Sequence, residues 1–183
     1  MKFAIKKEFL PHYTYDDYKE WEGDWELIYG IPYAMSSPNF VHQEIGVRAI
    51  YQLHSKLKDC KRCKAVYEMD WKIKEDIVVR PDVLVVCDQK KRGAFVSKTP
   101  EIIFEILSPS AKSKDLGLKK LIYEQERVPY YVVVDLVDLS AEILKLKDDK
   151  FLLDGIFEKD SYIFNLNDCE IEFDFKELFD EIV

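Results

Sequence analysis

Two acidic residues stand beside the most apolar runs of the chain. Asp82, preceded by Pro81, opens Val83-Leu84-Val85-Val86, and Glu105 divides Ile102-Ile103-Phe104 from Ile106-Leu107. An unpaired buried carboxylate is costly or takes up a proton, so each residue needs a cation, a hydrogen-bond network or water access. Strand ends meeting in a cleft supply all three. Further along, Lys119 and Lys120 lie in a stretch with helical spacing. Two carboxylates and an ammonium around one point suit Mg2+, which takes one or two carboxylates together with phosphate oxygens and waters. Such a set lets a phosphodiester dock despite the acidic chain. Taken singly, Asp82 as the start of a strand and Glu105 as a solvent-facing edge residue are the plainer readings, because structural ion pairs are common. Their placement on neighbouring strands shifts the balance towards a site.

The elements that must position these residues follow from spacing. Thr14 with Asp17 marks a helix start, and the polar-aromatic stretch Tyr15 to Glu22 stops at Gly23. Trp25 to Tyr29 and Pro32 to Met35 flank Gly30-Ile31 as two strands or one bent strand, with Glu26 beside the turn. From Pro38 to Leu57, Val41, Ile45, Ala49, Ile50, Leu53 and Leu57 recur at steps of three and four, an amphipathic helix that covers one face of a sheet. Strands are expected at Ala65 to Ile73, Val83 to Cys87 and Ile102 to Leu107, a helix over Ser113 to Arg127, and a strand at Tyr130 to Val134. Strand, helix, strand implies a crossover and parallel pairing, whereas the earlier consecutive strands favour antiparallel pairing. The sheet is therefore expected to be mixed. Glu142 to Leu146, Phe151 to Leu153 and Tyr162 to Phe164 add strands, and Lys176 to Ile182 a final helix.

Composition sets the frame. The 183 residues carry 27 Lys+Arg against 35 Asp+Glu, a net charge of −8, with 48% hydrophobic and 14% aromatic residues. That apolar content supports a core and argues against a disordered coil, and the length fits one domain over 1–183. The acidic balance, with a pI near 5.0, argues against a protein held to nucleic acid by a diffuse basic surface. The opening segment MKFAIKKEFL breaks its apolar positions with Lys and Glu, and no stretch approaches a membrane span. A soluble, cytoplasmic protein without membrane contact is expected, with reduced thiols at Cys60, Cys63, Cys87 and Cys169. The C-x-x-C of Cys60 and Cys63 lies among Lys58, Lys61, Arg62 and Lys64 and lacks a second pair. A solvated connection is its plainer reading, with zinc or redox chemistry the weaker one.

Ordered motifs carry a resemblance. Tyr13-Thr14-Tyr15-Asp16-Asp17-Tyr18, Glu26-Leu27-Ile28-Tyr29-Gly30, Pro32-Tyr33-Ala34-Met35, Pro38 with His42, Pro81-Asp82, Glu105-Ile106-Leu107-Ser108-Pro109-Ser110, Asp115-Leu116-Gly117-Leu118-Lys119 with Tyr123, and Tyr130 to Asp135 follow one another over roughly 13–136. Each is weak alone, but in this order the chain resembles the Uma-two-type endonuclease family of the PD-(D/E)XK nuclease superfamily. The resemblance implies a restriction endonuclease-like α/β fold, a central mixed β-sheet flanked by α-helices, with the site where two strands diverge. It implies that Asp82 and Glu105 hold Mg2+ or Mn2+, with the Ile106 carbonyl as a further ligand and Glu26 serving a second metal or its water. It further implies hydrolysis of nucleic acid, DNA being favoured, by a homodimer.

One departure stands out. The lysine position of the superfamily signature is Leu107, which cannot activate water, and Lys119 looks like the migrated replacement. Lys119 holds the family spacing from Asp115 and Tyr123, whereas Lys120 faces about 100° away on an ideal helix. His42 either contacts phosphate or metal-bound water or caps its helix, and Ser108 either binds phosphate or Glu105 or forms a turn before Pro109. Tyr123 reads as packing. A catalytically silent nuclease fold that binds nucleic acid or protein is the alternative, because a fold does not confer activity. Hydrolysis of another phosphate ester ranks third.

Overall fold

The longest β-branched runs become the inner strands of one sheet, buried on both faces, as near-continuous apolar segments require. The computed structural model describes residues 10–90, 93–107, 115–166 and 168–182. In chain order these form α1 (Tyr15–Tyr18), β1 (Trp25–Ile28), β2 (Ile31–Ala34), α2 (Phe40–Lys56), β3 (Cys63–Tyr67), β4 (Trp71–Lys74), β5 (Ile77–Val79), β6 (Val83–Cys87) and β7 (Ile102–Leu107). A π-helical turn (Asp115–Lys119) then leads into α3 (Lys120–Gln125), followed by β8 (Tyr130–Asp135), β9 (Ser140–Lys147), β10 (Lys150–Phe157), β11 (Ser161–Asn165), β12 (Glu170–Asp174) and α4 (Phe175–Phe179).

A six-stranded sheet runs β10-β9-β8-β7-β6-β3. Within it β7 and β8 pair in parallel and the other neighbours antiparallel, so the sheet is mixed. Period-two alternation gives it two apolar faces. Val83, Val85, Phe104, Ile106, Val132 and Val134 face Ile45, Ala49 and Leu53 of α2, in a layer completed by Phe164, Phe173 and Phe175. On the opposite face Leu84, Val86, Ile103, Leu107, Tyr131 and Val133 meet Ile122 and Tyr123 of α3 and the inner side of a four-stranded sheet, β2-β1-β5-β4. Glu105 lies on this second face, between Ile103 and Leu107, and must be accommodated there.

The expected strand Ala65 to Ile73 is two strands in different sheets. Glu68 adopts a left-handed φ of 44° and its amide donates to the Asp82 carbonyl at 2.9 Å, which turns the chain out of the large sheet. Trp71–Lys74 then pairs with Ile77–Val79, a three-residue strand too short to signal itself. The β1–β2 hairpin turns on Tyr29 and Gly30, with φ of 53° and 75°, the positive pair of a tight hairpin. A side chain at Gly30 would strike the His12 ring, 2.2 Å from where its Cβ would stand. The cysteines, expected as reduced thiols, are paired, Cys60 with Cys169 and Cys63 with Cys87. Among the described residues, no helix is long and apolar enough to cross a membrane.

Candidate active site

Asp82 immediately precedes β6. The antiparallel register Val83↔Phe104 continues to set Asp82 opposite Glu105 at the end of the β6–β7 ladder. There the Ile106 amide donates to Asp82 Oδ2 at 2.6 Å, while Oδ1 lies 3.4 Å from His42 Nε2. Asn39 caps α2, its side chain accepting from the His42 amide at 2.9 Å, so the His42 ring is left to face Asp82. Burial pulls the His42 imidazolium down, but the hydrogen bond and charge of Asp82, with the Ile106 backbone contributing, outweigh it and leave the pKa raised.

Lys119 ends the π-helical turn, and Lys120 begins α3. The Lys119 ammonium sits 3.0 Å from Glu26 Oε1 and 2.5 Å from Glu105 Oε1. Exposure is 0% at Glu26, 2% at Lys119, 3% at Glu105 and 9% at Asp82, so these charges interact with little solvent between them. One turn after Lys119, the Tyr123 hydroxyl donates to Glu105 Oε1 at 2.6 Å. Burial first, then the Glu105 carboxylate, pushes the Tyr123 pKa well up, keeping the proton on this donor. Glu26 comes from β1 and accepts from the Arg80 amide at 2.9 Å. The Arg80 guanidinium is clamped by Asp70 at 2.7 Å and Asp24 at 2.6 Å, which fixes the backbone just before Pro81-Asp82.

The structure therefore brings Glu26, Glu105 and Lys119 into direct contact and sets Asp82, Ile106 and His42 beside them. Lys120 is half-buried outside this cluster, where its charge acts on Glu124. Ser108 lies outside the described residues. Two contributors escape a reading by residue type: Tyr123, whose i,i+4 relation to Lys119 was the available signal, and Arg80, adjacent to Pro81-Asp82.

Glu26, Asp82 and Glu105 against Lys119 carry a net −2, the charge one divalent cation offsets. Hard carboxylate and carbonyl oxygens are the donors Mg2+ prefers. The donor set thus fits such an ion in type and charge, although the ammonium of Lys119 now lies between Glu26 and Glu105. Among the described residues, the group of three metal-type ligand atoms within 4.8 Å of one another is Cys60, Cys63 and Cys169. That group stands near the far end of β6, about 17 Å along the strand from Asp82 at 3.3 to 3.4 Å per residue.

A family model, "Uma2: Putative restriction endonuclease", matches residues 14–166. No curated protein matches the chain. Among solved structures, a "putative nuclease belonging to DUF820" from Anabaena variabilis ATCC 29413 superposes with a TM-score of 0.73 at 16% identity, over 91% of this chain and 97% of that one. At that identity the likeness is one of fold.

Proposed function

The chain belongs to the Uma2 family, and from that premise we propose that it is a metal-dependent nuclease hydrolysing phosphodiester bonds of nucleic acid at the cluster of Asp82, Glu105 and Lys119. The observation that supports the reading is the Lys119 ammonium held between the buried carboxylates of Glu26 on β1 and Glu105 on β7, with Asp82 opposite Glu105. Leu107 stands at the strand position of the signature lysine, and in this reading Lys119, from the π-helical turn that follows, supplies the ammonium beside Glu105 instead.

Asp82, Glu105 and the Ile106 carbonyl are the residues that would hold Mg2+ or Mn2+, with Glu26 alongside. When bound, the ion lowers the pKa of water and neutralises charge developing on the phosphate. The Ile106 amide fixes one Asp82 oxygen, and the Tyr123 hydroxyl fixes one Glu105 oxygen, so neither carboxylate must reorganise during reaction. Lys119 orients the attacking water and stabilises the transferred phosphoryl oxygens, while His42, beside Asp82, and Lys120, at the start of α3, are the further candidates for contact with the substrate backbone. DNA is the first substrate to try. A homodimer is part of this reading, supported by the half-exposed Leu152, Leu153 and Ile156 on the edge strand β10, and light scattering tests it.

The test is cleavage of single- and double-stranded DNA and RNA with Mg2+ or Mn2+ by wild type and by Asp82→Ala, Glu105→Ala and Lys119→Ala. Each variant is expected to lose about 10²- to 10³-fold, the scale of removing one transition-state contact. Activity unchanged in all three removes the site. Metal-dependent binding without cleavage of any substrate favours the silent binding module.

A further inference from the structure

Four cysteines that are scattered in sequence meet at one point of the fold. Cys60 and Cys63 bracket a tight turn after α2, in which the Cys63 amide donates to the Cys60 carbonyl at 3.2 Å. Cys63 then opens β3 and lies directly opposite Cys87 at the end of β6. Cys169 arrives from the β11–β12 connection, where its carbonyl accepts from the Leu166 amide at 2.8 Å. Two separate disulfides would use each sulfur once and need no proximity between the pairs. Here the Sγ atoms of Cys60, Cys63 and Cys169 all lie within 4.8 Å of one another, although Cys63 is joined to Cys87 and Cys60 to Cys169. Three of the four sulfurs thus form one group, and the fourth, Cys87, is bonded to a member of it.

Arg62, inside the C-x-x-C turn, braces the same three segments. Its guanidinium binds Asp88, the neighbour of Cys87, at 3.0 and 2.6 Å, and it pairs with Asp168, the neighbour of Cys169. The Asp88 amide also donates to the Arg62 carbonyl at 2.9 Å. The segments that carry the cysteines are thus held together by contacts independent of the sulfurs. Cys60 and Cys63 are buried, while Cys87 and Cys169 are half-buried, so an ion can enter.

We propose that in the reduced protein Cys60, Cys63, Cys87 and Cys169 ligate one Zn2+ as a tetrahedral tetrathiolate. Zn–S bonds of about 2.3 Å set sulfurs roughly 3.8 Å apart in a tetrahedron, inside the 4.8 Å that spans Cys60, Cys63 and Cys169, and Cys87 supplies the fourth from its place opposite Cys63 across the strand pair. Thiolate ligands select zinc over the hard cations suited to the carboxylate cluster. The thiols give up their protons as the ion binds, and Lys58, Lys61 and Lys64 flank the turn with positive charge. The ion would tie the end of α2, the β3–β6 pair and the β11–β12 hairpin into one unit. This site does not depend on the nuclease reading.

The test is metal content of the full chain purified under reducing conditions and then exposed to Zn2+ and desalted. One zinc per chain is expected for wild type and for Asp82→Ala, and close to none for Cys60→Ser/Cys169→Ser. Loss of zinc from Asp82→Ala with retention in the cysteine variant would overturn the assignment. Because the serine variant could misfold, wild type is also titrated with Co2+. Thiolate-to-cobalt charge-transfer bands with the d–d bands of a tetrahedral ion support the site, and an octahedral spectrum overturns it. Intact mass supplies an independent readout. Four alkylatable thiols appearing only after chelation support the proposal, whereas chains four hydrogens lighter and free of zinc from rapidly quenched cells identify two disulfides and overturn it.

Discussion

Lys119 is the residue on which the acidic cluster depends. Its ammonium is shared by Glu26 and Glu105, each almost wholly buried, and removing one partner of a buried ion set leaves uncompensated charge at a cost of about 3 to 5 kcal/mol. Lys119→Met is therefore expected to lower unfolding stability in urea on that scale at neutral pH. Glu26→Gln in the same chain should recover part of the loss, a coupling that a double-mutant cycle reads directly. Additive losses would mean that the two side chains do not share one charge balance. Here the residue types were legible in sequence while their partners were not. A carboxylate between apolar residues announces that it needs a counter-charge, but Glu26, Glu105 and Lys119 are brought together only by the meeting of three elements. Tyr123 shows the limit most clearly: it stacks on Trp71 and meets Tyr131 edge to face as packing alone would have it, and the same ring carries the hydroxyl that binds Glu105.

At the scale of elements, two contacts hold the helices that carry site residues against their sheets. On α2, Gly46 lets the helix approach Tyr67 of β3; a Cβ there would stand 2.7 Å from the Tyr67 ring, whose hydroxyl is fixed by Gln43 Oε1 at 2.6 Å. Gly46→Ala should destabilise by about 1 to 3 kcal/mol, as overpacking does, and Tyr67→Ala in the same chain should remove that increment in thermal unfolding. On α3, Glu124 accepts from the Phe151 amide at 2.8 Å and from Lys150 Nζ at 3.2 Å, tying the lysine-bearing helix to β10. Burial would raise its pKa, but these two donors outweigh that effect and leave it below the ordinary 4.5 of a glutamate. A depressed folded pKa means stability that is present above about pH 4.5 and lost as the pH falls through the folded value. Urea unfolding of wild type and Glu124→Gln should thus differ at pH 6 and converge towards pH 3, and a constant gap would exclude the carboxylate as its source. The long elements were legible because α2 repeats its apolar residues at steps of three and four, while β6, β7 and β8 are near-continuous apolar runs of strand length. The split at Glu68 was not, since a left-handed residue there reverses a run that otherwise reads as one strand. The strand Glu170–Asp174 had a readable signal in Ile171 and Phe173 alternating with acids, whereas nothing local marks the widened turn that ends at Lys119.

For the whole molecule, the net charge of −8 bears on nucleic-acid binding less through its sum than through its distribution. At physiological ionic strength charges are screened over about 8 Å, so a polyanion at the cluster responds chiefly to Glu26, Asp82, Glu105, Lys119 and their neighbours. Their net −2 repels phosphate unless a divalent cation is present. Binding of a nuclease-resistant DNA duplex, followed by fluorescence anisotropy, should accordingly be weak in EDTA, strengthen with Mg2+ and weaken again as monovalent salt rises. Neutralising the carboxylates with Asp82→Asn/Glu105→Gln separates the two roles of these groups. In EDTA the variant should bind more tightly than wild type, because like charge has been removed, while Mg2+ should no longer strengthen binding and cleavage should be lost. A wild type that binds tightly without metal, or a variant that binds no better in EDTA, would place the nucleic-acid surface elsewhere on the molecule. The local basic groups among Lys56, Lys58, Lys61, Arg62 and Lys64 are the alternative surface, and Lys58→Glu/Lys61→Glu would then weaken binding equally with and without Mg2+.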